Sequence, residues 1–69
     1  MLHLTNSIKT HRTRLKLTQA QLADMSDVSR KTINTIENGV FIPSTVLALK
    51  IARALEVSLH DVFALEDDP

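Results

Sequence analysis

Residues Thr18 to Gly39, TQAQLADMSDVSRKTINTIENG, constrain this chain more than any other stretch. Thr18 and Gln21 have the spacing of a capping box, in which an N-cap hydroxyl and an N3 side chain satisfy each other's backbone donors. A helix is therefore predicted to start at Thr18, with Leu22, and Ala23 with Met25, as its inner face. A turn of about three residues follows, centred on Ser26-Asp27-Val28, because Asp is among the few non-glycine residues that tolerate a left-handed conformation. Ser29 then caps a second helix. Ile33 and Ile36 turn inward, and Gly39, the one glycine of the chain, ends it where positive φ costs little. Two short helices joined by a tight turn, the second polar and basic on one face, suit insertion into a groove.

Helix is expected almost everywhere else. There are two prolines, abundant Leu, Ala and Ile, and no alternating Val/Thr/aromatic runs. A first helix is predicted from near Thr5–Ser7 to about Leu15, with Leu4, Ile8 and Leu15 on one stripe and His11 among them. Pro43-Ser44 opens a fourth, in which Val46, Leu47, Leu49, Ile51, Ala52 and Leu55 make more than one side apolar, as a central core helix requires. Ser58 and Asp61 match another capping box and start a short fifth helix carrying Leu59, Val62 and Phe63. The expected fold class is all-α: one compact five-helix domain over 1–69, its core at about 5–65, with Glu66-Asp67-Asp68-Pro69 as a frayed tail.

At 69 residues there is room for one small core, which makes oligomerisation a natural source of added stability. The absence of cysteine excludes disulfides, a thiolate metal site and a thiol nucleophile, and favours the cytoplasm. No apolar run approaches the roughly 20 residues that span a membrane. His3 and His60 have no partner at metal-ligand spacing, so no metal is expected. No Gly-rich phosphate loop, HExxH or Gly-x-Ser-x-Gly occurs, which argues against an enzyme, a cofactor or a small-molecule ligand. Net charge is zero, yet residues 1–40 carry six Lys/Arg against three acids while 41–69 carry two against five. Such a dipolar chain can present a basic face to phosphates.

The ordered set Leu17-Thr18-Gln19, Leu22-Ala23, Val28-Ser29-Arg30, Ile33, Ile36-Glu37-Asn38-Gly39, Pro43-Ser44 and Ile51-Ala52-Arg53-Ala54-Leu55-Glu56-Val57-Ser58 resembles the Cro/C1-type (XRE) helix-turn-helix family. The resemblance covers roughly residues 7–63. It implies a lambda-repressor-like five-helix domain, with the helix-turn-helix at helices two and three. It also implies a regulator of transcription that binds double-stranded DNA, in many members as a homodimer on a palindromic operator.

Helix three, about Ser29–Asn38, is then the recognition helix. Arg30, Lys31, Asn34 and Thr35 lie opposite Ile33 and Ile36 and are the candidate base readers. Arg and Lys can donate to guanine O6 and N7, Asn can pair with adenine N6 and N7, and Thr can meet a thymine methyl. Two cations in the first turn of a helix oppose its dipole and suggest an anionic partner. By similarity to the family, Gln19 and Asn38 are candidate phosphate contacts, with Thr18, Ser29 and Thr32 as secondary ones. The resemblance also pairs Arg12 with Glu37 as a structural link between helices one and three. Lys9, Arg14 and Lys16 are read as solvated.

Three departures from the family pattern stand out. Asp27 replaces the turn glycine, and His11 takes a position where an aliphatic residue is common, as an edge-of-core histidine. Val40-Phe41-Ile42 replaces a basic or polar loop, and is either a protein interface or a segment whose Phe41 tucks into the core. The leading expectation is a repressor that binds DNA as a homodimer. The alternative is a protein-interaction module reusing the fold through Val40-Phe41-Ile42 or the C-terminal end. An antitoxin or phage-type regulator controlled by a partner protein is a variant of the first.

Overall fold

The computed structural model describes residues 1–67. Along the chain run β1 (Leu2–Asn6), α1 (Ile8–Arg14), α2 (Gln19–Met25), α3 (Arg30–Glu37), α4 (Thr45–Ala54), α5 (Leu59–Val62) and β2 (Phe63–Asp67). The helices begin where hydroxyl side chains can replace missing backbone partners. Thr18 Oγ1 accepts from Gln21 N at 3.0 Å while Gln21 Oε1 accepts from Thr18 N at 2.8 Å. Ser29 Oγ accepts from Thr32 N at 3.2 Å, and Ser44 Oγ from Leu47 N at 3.1 Å. At α1 the N-cap residue Ser7 makes no side-chain cap bond, and Asn6 before it caps instead, its Oδ1 accepting from Ile8 N at 3.2 Å. At α5 the Asp61 carboxylate accepts from Ser58 N at 3.0 Å. Hydrogen bonds from Ser58, side chain and then backbone, hold the Asp61 carboxyl below the ordinary aspartate range.

Every helix sends one or two residues to the middle. Ile8, Leu22, Ala23, Ile33, Ile36, Ile51, Ala52, Leu55, Val62 and Phe63 are buried together, with Leu15, Leu17, Val28, Leu47 and Val57 packed around them. α2 lies against both α3 and α4, so the helix-turn-helix is anchored through its own inner face. The core side chains leave the polar faces of α2 and α3 facing out.

The chain is not purely helical. β1 and β2 pair antiparallel, with Leu4 opposite Leu65 and Asn6 opposite Phe63. Leu4 therefore sits in a strand and not on the stripe of the first helix, which starts at Ile8. Glu66 and Asp67, expected in a frayed tail, are the last residues of β2; Asp68 and Pro69 lie outside the described residues. Three expected core residues are exposed instead: Met25, Val46 and Leu49. α4 buries Ile51 and Ala52, with Leu55 at its C-cap, and a ten-residue helix cannot turn Val46 and Leu49 the same way. On α2, Leu22 and Ala23 face the core, and Met25, two residues beyond Ala23, falls on the other side of the helix. Among the described residues no helix is long and apolar enough to cross a membrane.

Candidate nucleic-acid interface

The turn between α2 and α3 is closed by backbone bonds. Asp27 adopts φ 58°, its N–H donates to Asp24 O, and Val28 N donates to Ala23 O at 3.0 Å. The negative charge that Asp27 brings beside α3 is matched by Lys50 Nζ at 3.4 Å, an exposed pair of small energetic weight.

On α3, Arg30 and Lys31 are exposed and make no ion pair or hydrogen bond among the described residues. Two cations at a helix start with no internal partner leave their charge for something else to neutralise. Thr35 is half-buried and donates its hydroxyl to Thr32 O at 2.9 Å, so its polar group is spent within the helix. Ser29 and Thr32 share a hydroxyl–hydroxyl bond of 3.0 Å, and Ser29 also caps α3. Thr18 is exposed at the start of α2, where it caps. Asn38 is the exposed C-cap of α3.

Asn34 and Gln19 are joined. Gln19 Nε2 donates to Asn34 Oδ1 at 3.1 Å and to Glu37 Oε1 at 3.2 Å. Glu37 also receives Arg12, whose Nε reaches Oε2 at 2.9 Å and whose Nη2 reaches Oε1 at 3.2 Å. The remaining Arg12 Nη1 donates to Leu17 O at 2.9 Å. The Arg12 and Glu37 side chains are only 14% and 6% exposed. A bidentate pair so enclosed fixes orientation more than it adds net stability. It ties the end of α1 to the end of α3, and Gln19 extends the tie to the start of α2.

One contributor was not singled out from the sequence. Asn6, besides capping α1, donates from Nδ2 to Ile36 O at 2.9 Å, which attaches the sheet to the C-terminal end of α3. Its only signal is an Asn two residues before the first helical position. His11 is half-buried, with Nε2 3.1 Å from Asp61 O. In the following loop Val40 and Phe41 both donate their N–H to Thr35 O. Phe41 is 49% exposed and Ile42 71%, so the loop does not bury itself in the core.

Residues 8–62 match the model of a family described as helix-turn-helix. The chain belongs to this family, of the Cro/C1 type. Its helix-turn-helix relatives include an uncharacterised transcriptional regulator of Methanocaldococcus jannaschii, 45% identical over 65 residues, covering 94% of this chain and 98% of that protein. Two solved helix-turn-helix structures are similar in fold and sequence. The restriction-modification controller protein C.AhdI of Aeromonas hydrophila superposes with a TM-score of 0.75 at 31% identity, over 78% of this chain and 82% of that one. The P22 c2 repressor, solved in complex with a synthetic operator, gives 0.73 at 33% identity, over 75% and 79%. A role in DNA binding and transcription regulation follows from the helix-turn-helix family itself.

Proposed function

We propose that this chain is a sequence-specific repressor that acts in the cytoplasm as a homodimer on a palindromic DNA operator. α3 enters the major groove, with Arg30, Lys31, Asn34 and Thr35 toward base edges. Thr18, Ser29, Thr32 and Asn38 meet phosphates, Gln19 does so through its backbone N–H at the start of α2, and Arg12–Glu37 holds α1 and α3 in register. The observation that carries this reading is the unpartnered Arg30–Lys31 pair on the outer face of α3. An α-helix fits the major groove, and its N-terminal side chains reach the bases while the preceding helix crosses the backbone. The P22 c2 repressor, bound to its operator, supports the same mode here.

The homodimer is supported by a shallow apolar groove lined by Leu4, Ile42, Pro43, Ala48, Leu59 and Leu65. It joins the two surfaces that the sequence offers for protein contact, the loop after Gly39 and the C-terminal end. The same groove is where a controlling partner protein would bind, should the chain act as an antitoxin-type regulator.

Selection from a random double-stranded DNA library at a stated salt concentration tests the reading. It should return an inverted repeat with half-sites about one helical turn apart, roughly 34 Å. Recovery of no preferred sequence would remove the sequence-specific role. A monomer in sedimentation at high micromolar concentration, with DNA present, would remove the homodimer.

A further inference from the structure

We propose that Glu37, acting through Gln19, fixes the Asn34 amide with its Nδ2 outward, so that α3 reads a guanine at that position. This rests on α3 being the DNA-reading helix. An amide can be turned either way unless its neighbours forbid it. Here they do. The Glu37 carboxylate, gripped bidentately by Arg12, has only acceptors to offer. The Gln19 atom 3.2 Å from it must therefore be Nε2. The second N–H of that same nitrogen reaches Asn34 at 3.1 Å, and the atom it meets must accept, which makes it Oδ1.

Polarity thus passes from the guanidinium of Arg12 through two side chains, Glu37 and Gln19, to Asn34. Reversing the Asn34 amide would set donor against donor at Gln19. Reversing Gln19 would set oxygen against oxygen at Glu37. An asparagine that reads adenine needs Oδ1 for N6 and Nδ2 for N7. With Oδ1 turned to Gln19, the amide leaves Nδ2 as the group for the groove, and the purine edge that offers it acceptors alone is guanine, through N7 and O6, whereas adenine sets its N6 donor beside N7. The adenine pairing expected from residue type alone is replaced by its complement in donor pattern. Glu37 touches no base in this scheme; it is a positioning residue.

Full-length protein and a selected operator provide the test. Asn34→Ala first locates the base pair concerned, as the one where discrimination is lost. At that pair the wild type should favour guanine over adenine by about fivefold or more. Gln19→Met keeps the side-chain length but cannot donate. It should release Oδ1 and move the guanine-to-adenine ratio toward adenine by a similar factor. The ratio is taken within each variant, so a uniform loss of affinity cancels. Glu37→Gln should erase the preference by letting either amide turn; if it fails to fold, Gln19→Met, which leaves the Arg12–Glu37 pair intact, still decides. A wild-type preference for adenine, or a ratio unchanged in Gln19→Met, overturns the proposal. DNA binding in which Asn34→Ala alters no position defeats this inference and leaves the function standing, whereas no selected sequence at all defeats both.

Discussion

Two arginines show how differently one residue type is used. Arg12 spends Nε, Nη1 and Nη2 inside the protein, and Arg30 spends nothing. Arg30→Ala should therefore leave the melting temperature unchanged and cost about 1–3 kcal/mol at the operator, with discrimination lost at one base pair; competition binding against single-base operator variants measures this. Ser26 presents the opposite situation. It is fully buried and its Oγ has no hydrogen-bond partner. A buried hydroxyl left unsatisfied costs about 1–3 kcal/mol. Ser26→Ala removes the orphan with the loss of one small atom and should raise unfolding free energy by about 1 kcal/mol in urea denaturation. A lower midpoint would show that the hydroxyl has a partner after all.

α1 to α4 all end by the same device. The residue after the C-cap is left-handed: Lys16, Asp27, Gly39 and Glu56, with φ from 58° to 74°. Each time its N–H donates to the carbonyl of the second-last helical residue, and the next residue's N–H closes the six-residue loop: Leu17 to Arg12 O, Val28 to Ala23 O, Val40 to Thr35 O, Val57 to Ala52 O. Leu17, Val28 and Val57 also pack on the core, and each follows a non-glycine residue. Val40 is 77% exposed, and it is the one that follows glycine. Burial of the next side chain over-determines the turn and tolerates the strain; without it the conformation must be cheap. Lys16→Gly and Glu56→Gly should each stabilise by about 0.5–1 kcal/mol, since relief of the left-handed strain, roughly 1–2 kcal/mol, outweighs the entropy that glycine adds to the unfolded chain. Thermal denaturation at fixed pH reads the difference. The helices were legible in the sequence because Thr18, Ser29, Ser44 and Ser58 advertise their starts. The left-handed turns at Lys16 and Glu56 were not, because long charged residues carry no turn signal. Nor was the sheet. Leu2-His3-Leu4 alternates too briefly to declare a strand, and its partner lies at the other end of the chain. The Gln19–Asn34–Glu37 network was hidden for a related reason: helical spacing shows which face a residue occupies, not which neighbour consumes its hydrogen bonds.

Across the whole molecule the polar α3 face and the apolar groove belong to adjoining segments, since Ile42 follows α3 by only a short loop. A standard interface takes about 800 Å² from each partner, roughly a sixth of the 4769 Å² that this chain exposes. Ile42 and Leu65, both more than half exposed, line the groove and are placed to supply the apolar centre of such a face. In the proposed homodimer, Ile42→Glu would bury a carboxylate without a partner there and should raise the dissociation constant at least about tenfold, as sedimentation would report. The Ile42 side chain is already 71% exposed in the single chain, so its stability as a monomer should be unaltered. An unchanged dimer would place the two-fold axis elsewhere.

The pairing of β1 with β2 also bears on the order in which this chain comes together. Its partners stand about sixty residues apart, so a loop spanning nearly the whole sequence must close before the sheet returns any free energy. The helices need no such closure. The sheet is therefore expected to zip last and to open first, and its amides should lose protection in hydrogen exchange well before those of α2 and α3. Fraying at this seam would then come and go while the helix-turn-helix stays assembled, with Asn6 Nδ2 on Ile36 O as the stitch where the two parts meet.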